Sequence, residues 1–162
     1  MLDFDFRARV CYWVHMAAHS FERTVNNELL SEGITYRQCQ VLGWLAIEGD
    51  MSQVELADRM NIEPPTVVRV LDCMEREGWI TRDACPTDRR KKVVRPLPRA
   101  IPVWEKITAC GDRVEERALK GMTAEQVLTL RNLLEIVQRN LSDQAETVSS
   151  PASLETSDLT RK

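Results

Sequence analysis

The sequence predicts a mainly α-helical fold with one small β-hairpin, on three observations. Apolar residues recur at three- and four-residue steps over long stretches, as in Val10, Trp13, Val14, Ala17, Phe21, Val25 and Leu29. Two short helical patterns meet at Asn61, with Pro64 and Pro65 close behind it. Two strand-like runs then follow, Trp79-Ile-Thr-Arg-Asp83 and Lys92-Val-Val-Arg95, joined by the turn-rich Ala84-Cys-Pro-Thr-Asp-Arg-Arg90.

The first helix is expected from about Arg7 to Leu30. Its stripe is longer than a small domain needs, so part of it should meet another chain. Gly33-Ile-Thr35 ends it, and Thr35 can cap a second helix with Leu42, Leu45 and Ala46 inward, closing near Gly49-Asp50. Ser52-Gln-Val-Glu55 is a capping box, opening a helix with Val54, Leu56, Ala57 and Met60 turned inward. Asn61 can take the left-handed conformation of a sharp turn. Pro64 and Pro65 suit the first turn of the next helix, where no N–H is needed. That helix places Val67, Val70, Leu71 and Met74 on one face and Pro65, Thr66, Val68, Arg69 and Asp72 on the other, and Gly78 stops it.

Beyond the hairpin, Pro96-Leu-Pro98 and Pro102 mark the entry to a helix carrying Val103, Trp104, Ile107, Gly111, Val114 and Ala118, with Pro102 kinking or delaying its first turn. Gly121 breaks it, and Thr123-Ala-Glu-Gln126 is another capping box. The last helix carries Val127, Leu130, Leu133, Leu134, Val137 and Leu141, and from Ser142 the chain is too polar to fold. The expected organisation is a terminal helix over 1–34, a helix–turn–helix with hairpin wing over 35–97, two further helices over 98–141 and an unfolded tail over 142–162. The terminal helices flank the central unit with apolar stripes, and packing them on a second copy with two-fold symmetry is the economical solution.

Composition narrows the function. The chain has 162 residues, 43% of them hydrophobic, enough for a proper core. No apolar run is long enough to span a membrane, and the acidic Met1-Leu-Asp-Phe-Asp5 lacks the order of a signal peptide. Five cysteines at irregular spacing suggest reduced thiols and a cytoplasmic protein. A glycine-rich phosphate loop, a nucleophile elbow and a His-Glu-x-x-His run are all missing, which speaks against an enzyme, and no cofactor is implied. The net charge is −3, yet from Arg76 to Arg99 eight Lys or Arg stand against three Asp or Glu, a local +5. Basic residues clustered on a helix–hairpin unit are the footprint of phosphate binding to double-stranded DNA.

Residues 8 to 141 resemble the MarR family of bacterial winged-helix regulators, and the SlyA branch most closely. The matching segments are Gln53-Val-Glu-Leu-Ala-Asp-Arg-Met60, Glu63-Pro-Pro-Thr-Val-Val-Arg69, Leu71-Asp-Cys-Met-Glu-Arg-Glu-Gly-Trp-Ile80 and Cys85-Pro-Thr-Asp-Arg-Arg90. The resemblance implies a winged helix-turn-helix plus terminal helices that form a homodimerisation region. It also implies that positions matching Pro65, Thr66 and Arg69 face the major groove. Arginine can bond bidentately to guanine, and a threonine methyl or a proline ring can meet a thymine methyl. The bland alternative for Arg69 is a surface salt bridge to Asp72 or Asp88. Arg89 suits minor-groove insertion, with Asp88 orienting Arg90 or Arg69. Arg82, Arg90, Lys91 and Lys92 suit phosphates, and the helix start at Ser52-Gln53 can offer N–H groups to another.

The family further implies an effector pocket for a small aromatic carboxylate or phenol, to which Trp13, His15, Tyr36 and Arg69 are the candidate contributors. Trp13 as plain core is the alternative. In the peroxide-sensing OhrR branch a reactive cysteine lies near the position of Cys11, supported by a tyrosine matched by Tyr36, while a second supporting tyrosine matches Cys39. Cys11, His15 and His19 step by four, but Cys11 to His19 spans about 12 Å of helix, so the three cannot share one metal unaided. A winged helix used only for protein contacts is a further class, against which Arg69 and Asp88-Arg-Arg90 argue.

Overall fold

The computed structural model describes residues 4–84 and 92–148, with side chains to residue 142. The chain falls into two units, one up to Ala118 and one from Leu119.

In the first unit, a 3-10 turn at Phe6–Ala8 precedes helix α1, Val10–Ser31. The turn is capped by Asp5, whose carboxylate accepts from the N–H groups of Arg7 and Ala8, and this moves the helix start beyond the expected Arg7. The predicted stripe divides in two. Val25 and Leu29 are buried against Ile107, Cys110 and Val114 of helix α5 (Ile101–Ala118), whereas Val10, Trp13 and Phe21 are 72%, 60% and 44% exposed. Glu28 on α1 accepts from Arg113 and Arg117 of α5 at 3.2 and 2.5 Å. Burial pushes its pKa up, but the two guanidiniums prevail and hold the carboxyl below its usual range.

Helix α2, Tyr36–Glu48, opens on a reciprocal capping box. Thr35 Oγ1 accepts from the Gln38 N–H, and Gln38 Oε1 accepts from the Thr35 N–H at 2.8 Å. Gln38 is buried, and its Nε2 donates to Cys73 Sγ at 3.7 Å, tying the start of α2 to helix α4 (Pro64–Arg76). Leu42 and Leu45 point inward as expected, with Val41 beside them, but Ala46 is exposed. It lines an apolar hollow of about 390 Å³ with Leu42, Leu97 and Trp104.

The central unit follows the sequence closely. Helix α3, Gln53–Met60, carries the Ser52–Glu55 capping box, and Asn61 turns at φ 48°. Helix α4 has its two prolines in the first turn, and Gly78 at φ 73° ends it as Trp79 N–H reaches back to Met74 O at 2.9 Å. Val67, Leu71 and Met74 are fully buried and Val70 partly so. Val54 departs from expectation at 58% exposed. The buried arc of α3 is Leu56, Ala57 and Met60, and Val54 lies past its edge.

Strands β2 (Ile80–Ala84) and β3 (Lys92–Pro96) form the hairpin, with Arg82 opposite Val94. A two-residue strand β1, Met51–Ser52, adds on the far side of β3 to give the order β1-β3-β2. No sequence signal marked it. Met51, Ile80 and Val94 drive the sheet into the core beside α3 and α4. A 3-10 turn, Pro98–Ala100, leads directly into α5, and Pro102 falls inside the first turn of that helix without delaying it. Cys110 takes an inward place that Ala118, exposed at the helix end, does not.

In the second unit the Thr123–Gln126 capping box forms, with hydrogen bonds of 2.8 and 3.2 Å. Helix α6, Ala124–Val148, continues beyond Leu141 into the stretch expected to be unfolded. Its Leu130, Leu133, Leu134, Val137 and Leu141 are exposed. Among the described residues no helix is long and apolar enough to cross a membrane.

Candidate nucleic-acid interface

The first two turns of α4 present Pro65, Thr66 and Arg69 to solvent, opposite the buried Val67, Leu71 and Met74. Burial of that apolar face fixes the roll of the helix about its axis, and so determines which side chains look outward. Among the described residues Arg69 has neither an ion pair nor a side-chain hydrogen bond, so the salt bridge to Asp72 does not form. Asp72 is instead 2.7 Å from Arg82.

Arg82 is placed differently from the phosphate-facing role expected of it. The Arg82 side chain is only 16% exposed and bonds Glu75 at 3.1 and 2.5 Å, Asp72 at 2.7 Å and Gln53 Oε1 at 3.5 Å. Its N–H groups therefore face inward, because β2 carries Arg82 alongside two carboxylates on α4. The hydrogen bonds from Arg82 hold the Glu75 carboxyl below its usual range and raise Arg82 in turn. Ser52 Oγ accepts from the Glu55 N–H at 3.2 Å and so acts as the expected cap. Lys92 is exposed at the start of β3. Asp88, Arg89, Arg90 and Lys91 lie outside the described residues.

Arg82→Gln is accordingly expected to weaken duplex binding through the angle of the wing while leaving the salt dependence of log K unchanged. Were Arg82 instead bonded directly to a phosphate, its removal would reduce that slope by about one. The Glu75 member gives the brace a pH dependence. A depressed folded-state pKa contributes stability above the usual 4.5 and loses it as the pH falls below that value. Thermal unfolding of the wild type and of Glu75→Gln should therefore converge in acid; an equal gap at every pH would contradict the brace.

Two clefts lie on the same unit. One, of about 340 Å³, is lined by His19, Glu22, Arg23 and Asn26 of α1, by the cap residue Thr35 and by Tyr36 and Arg37 of α2. Burial raises the Tyr36 phenol, and the Glu22 carboxylate beside it adds to the shift. The other, of about 530 Å³, lies at the α3–α4 turn between Arg37, Asp58, Asn61, Glu63 and Thr66. Of the four candidate effector contacts, only Tyr36 lines the α1–α2 cleft. Trp13 stands nearer the start of α1, its indole N–H bonded to Arg7 O at 2.9 Å. His15 stacks on His19 at 6.4 Å, and Arg69 is on the outer face of α4. Trp13 is not core either. His19 and the two arginines of the cleft were missed, since only the packing of α2 on α1 brings them together.

The thiols separate by environment. Cys11 is exposed, Cys110 is buried, and burial pushes the Cys39 thiol up to about 11. Cys11 should be alkylated by iodoacetamide at pH 8 before Cys39 and Cys110, as read by mass spectrometry; the reverse order would contradict this placement. Among the described residues no three His, Cys, Asp or Glu side chains form a metal-binding group.

Residues 34–92 match the MarR family model. Wild-type MarR from E. coli in its apo form is 26% identical with a TM-score of 0.72, over 80% of this chain and 96% of that one. A cysteine-to-serine mutant of the same E. coli protein, in complex with operator DNA, is 25% identical with a TM-score of 0.70, over 83% and 99%. The fold is shared with Bordetella bronchiseptica BpsR, whose DNA binding is regulated by 6-hydroxynicotinic acid, at 19% identity and a TM-score of 0.71 over 85% and 98%. Over residues 34–92 the chain thus matches the MarR family, and its fold is that of the E. coli MarR structures.

Proposed function

We propose that this chain is a MarR-family transcriptional regulator of the SlyA type, binding a near-palindromic operator as a homodimer and releasing it when a small aromatic carboxylate or phenol binds. The observation that carries the DNA reading is the start of α4, where Pro65, Thr66 and Arg69 are exposed and Arg69 has no partner among the described residues. In helix-turn-helix proteins the start of the second helix enters the major groove. Lys92 and, by sequence, Arg89, Arg90 and Lys91 supply the wing's positive charge. The homodimer rests on the exposed apolar halves of α1 and α6, which are large for a surface facing water. The effector reading rests on the α1–α2 cleft, where Tyr36 offers a ring and Arg23, Arg37 and His19 offer donors to a carboxylate.

The test is binding to the DNA just upstream of the protein's own gene, with and without millimolar salicylate. Tight, salt-sensitive binding that salicylate releases is expected. A flat salt response would overturn the DNA reading, and binding indifferent to salicylate would overturn the aromatic-acid reading of the cleft.

A further inference from the structure

We propose that Arg37 couples the two clefts, binding the DNA backbone beside α4 when the α1–α2 cleft is empty and an anionic ligand when it is filled. This rests on the effector reading above. Arg37 is the second residue of α2 and lines both spaces, one with Tyr36 and Arg23, the other with Glu63 and Thr66. Thr66 belongs to the face of α4 that the DNA reading uses, so the second space opens where a duplex backbone would pass. Asp58 and Glu63 also line it. Two carboxylates repel a phosphate, and Arg37 is the cation lining that cleft that offsets them.

The backbone of Arg37 is held more firmly than its side chain. The Thr35–Gln38 capping box fixes the start of α2, and the bond from Gln38 to Cys73 ties that start to α4. The guanidinium itself is exposed and donates to Gln40 Oε1 at 2.8 Å, a neutral partner that an anion readily displaces. An arginine with a fixed root and an exposed, displaceable head between the two spaces can serve an anion in either, not in both. A carboxylate in the α1–α2 cleft therefore removes one phosphate contact from the DNA side, and duplex DNA weakens ligand binding by the same factor.

The experiment uses the full chain, duplex DNA and salicylate as probe, with Arg37→Gln and Arg37→Lys checked for unchanged thermal unfolding. Arg37→Gln should bind duplexes of any sequence roughly three- to tenfold more weakly, with the salt slope reduced by about one. Salicylate should release it far less than it releases the wild type, and Arg37→Lys should recover the salt slope. An unchanged slope in Arg37→Gln overturns the proposal, as does equal release of Arg37→Gln and wild type by salicylate. Wild-type DNA binding that ignores salicylate overturns the effector reading and the coupling together, whereas equal release of both proteins leaves the effector reading standing and removes the coupling alone.

Discussion

Arg69→Ala is expected to cost about 1–3 kcal/mol on the preferred operator and much less on unrelated duplexes, so that the preference itself collapses. The asymmetry follows from what the side chain has available. Arg69 is exposed, three residues after Thr66 on the same face, and unpaired among the described residues, so its donors are free for a base edge. If Arg69 bound a phosphate instead, its removal would weaken all sequences alike. Competition binding with operator and scrambled duplexes distinguishes the two, and equal weakening on both would contradict direct readout. Thermal unfolding should be almost unaffected, since no internal partner is removed.

Leu71→Ala should have the opposite signature, a stability loss of about 2–5 kcal/mol with a matching loss of DNA binding at growth temperature. Leu71 is fully buried in α4, in one cluster with Leu56 and Ala57 of α3, Leu42 and Leu45 of α2, and Ile80 and Val94 of the sheet. The cavity left by truncation lies where these elements meet, so relaxation would require the recognition helix to shift. Chemical denaturation measures it directly; a loss under about 1 kcal/mol would mean that α4 is not anchored as described.

Sequence reading succeeded where the determinants are local. The Ser52–Glu55 and Thr123–Gln126 boxes, Asn61, the Pro64-Pro65 start and Gly78 each act through their own few residues, and each does what its chemistry requires. It failed where the partner is distant. Strand β1 is two residues long and exists only because β3 lies alongside, so it has no period to detect. Arg82 reads as a basic hairpin residue until Asp72, Glu75 and Gln53 are brought around it. Val54 and Ala46 are apolar residues at the margins of buried arcs, and the periodicity of a short helix cannot place such a margin to within one position. The α1–α2 cleft joins residues from two helices whose relative roll the sequence does not state. The wing tip, 85–91, was legible as a motif, and it lies outside the described residues.

On the proposed function, two copies of α4 read one two-fold DNA site through their N-terminal turns. Selection of bound duplexes from a random-sequence pool tests it most directly, with wild type and Arg69→Ala run in parallel. The wild type should enrich an inverted repeat whose half-sites are about one helical turn apart, and Arg69→Ala should lose information at a symmetric pair of positions within it. Enrichment of a single unrepeated site, or an identical motif from both proteins, would contradict the account.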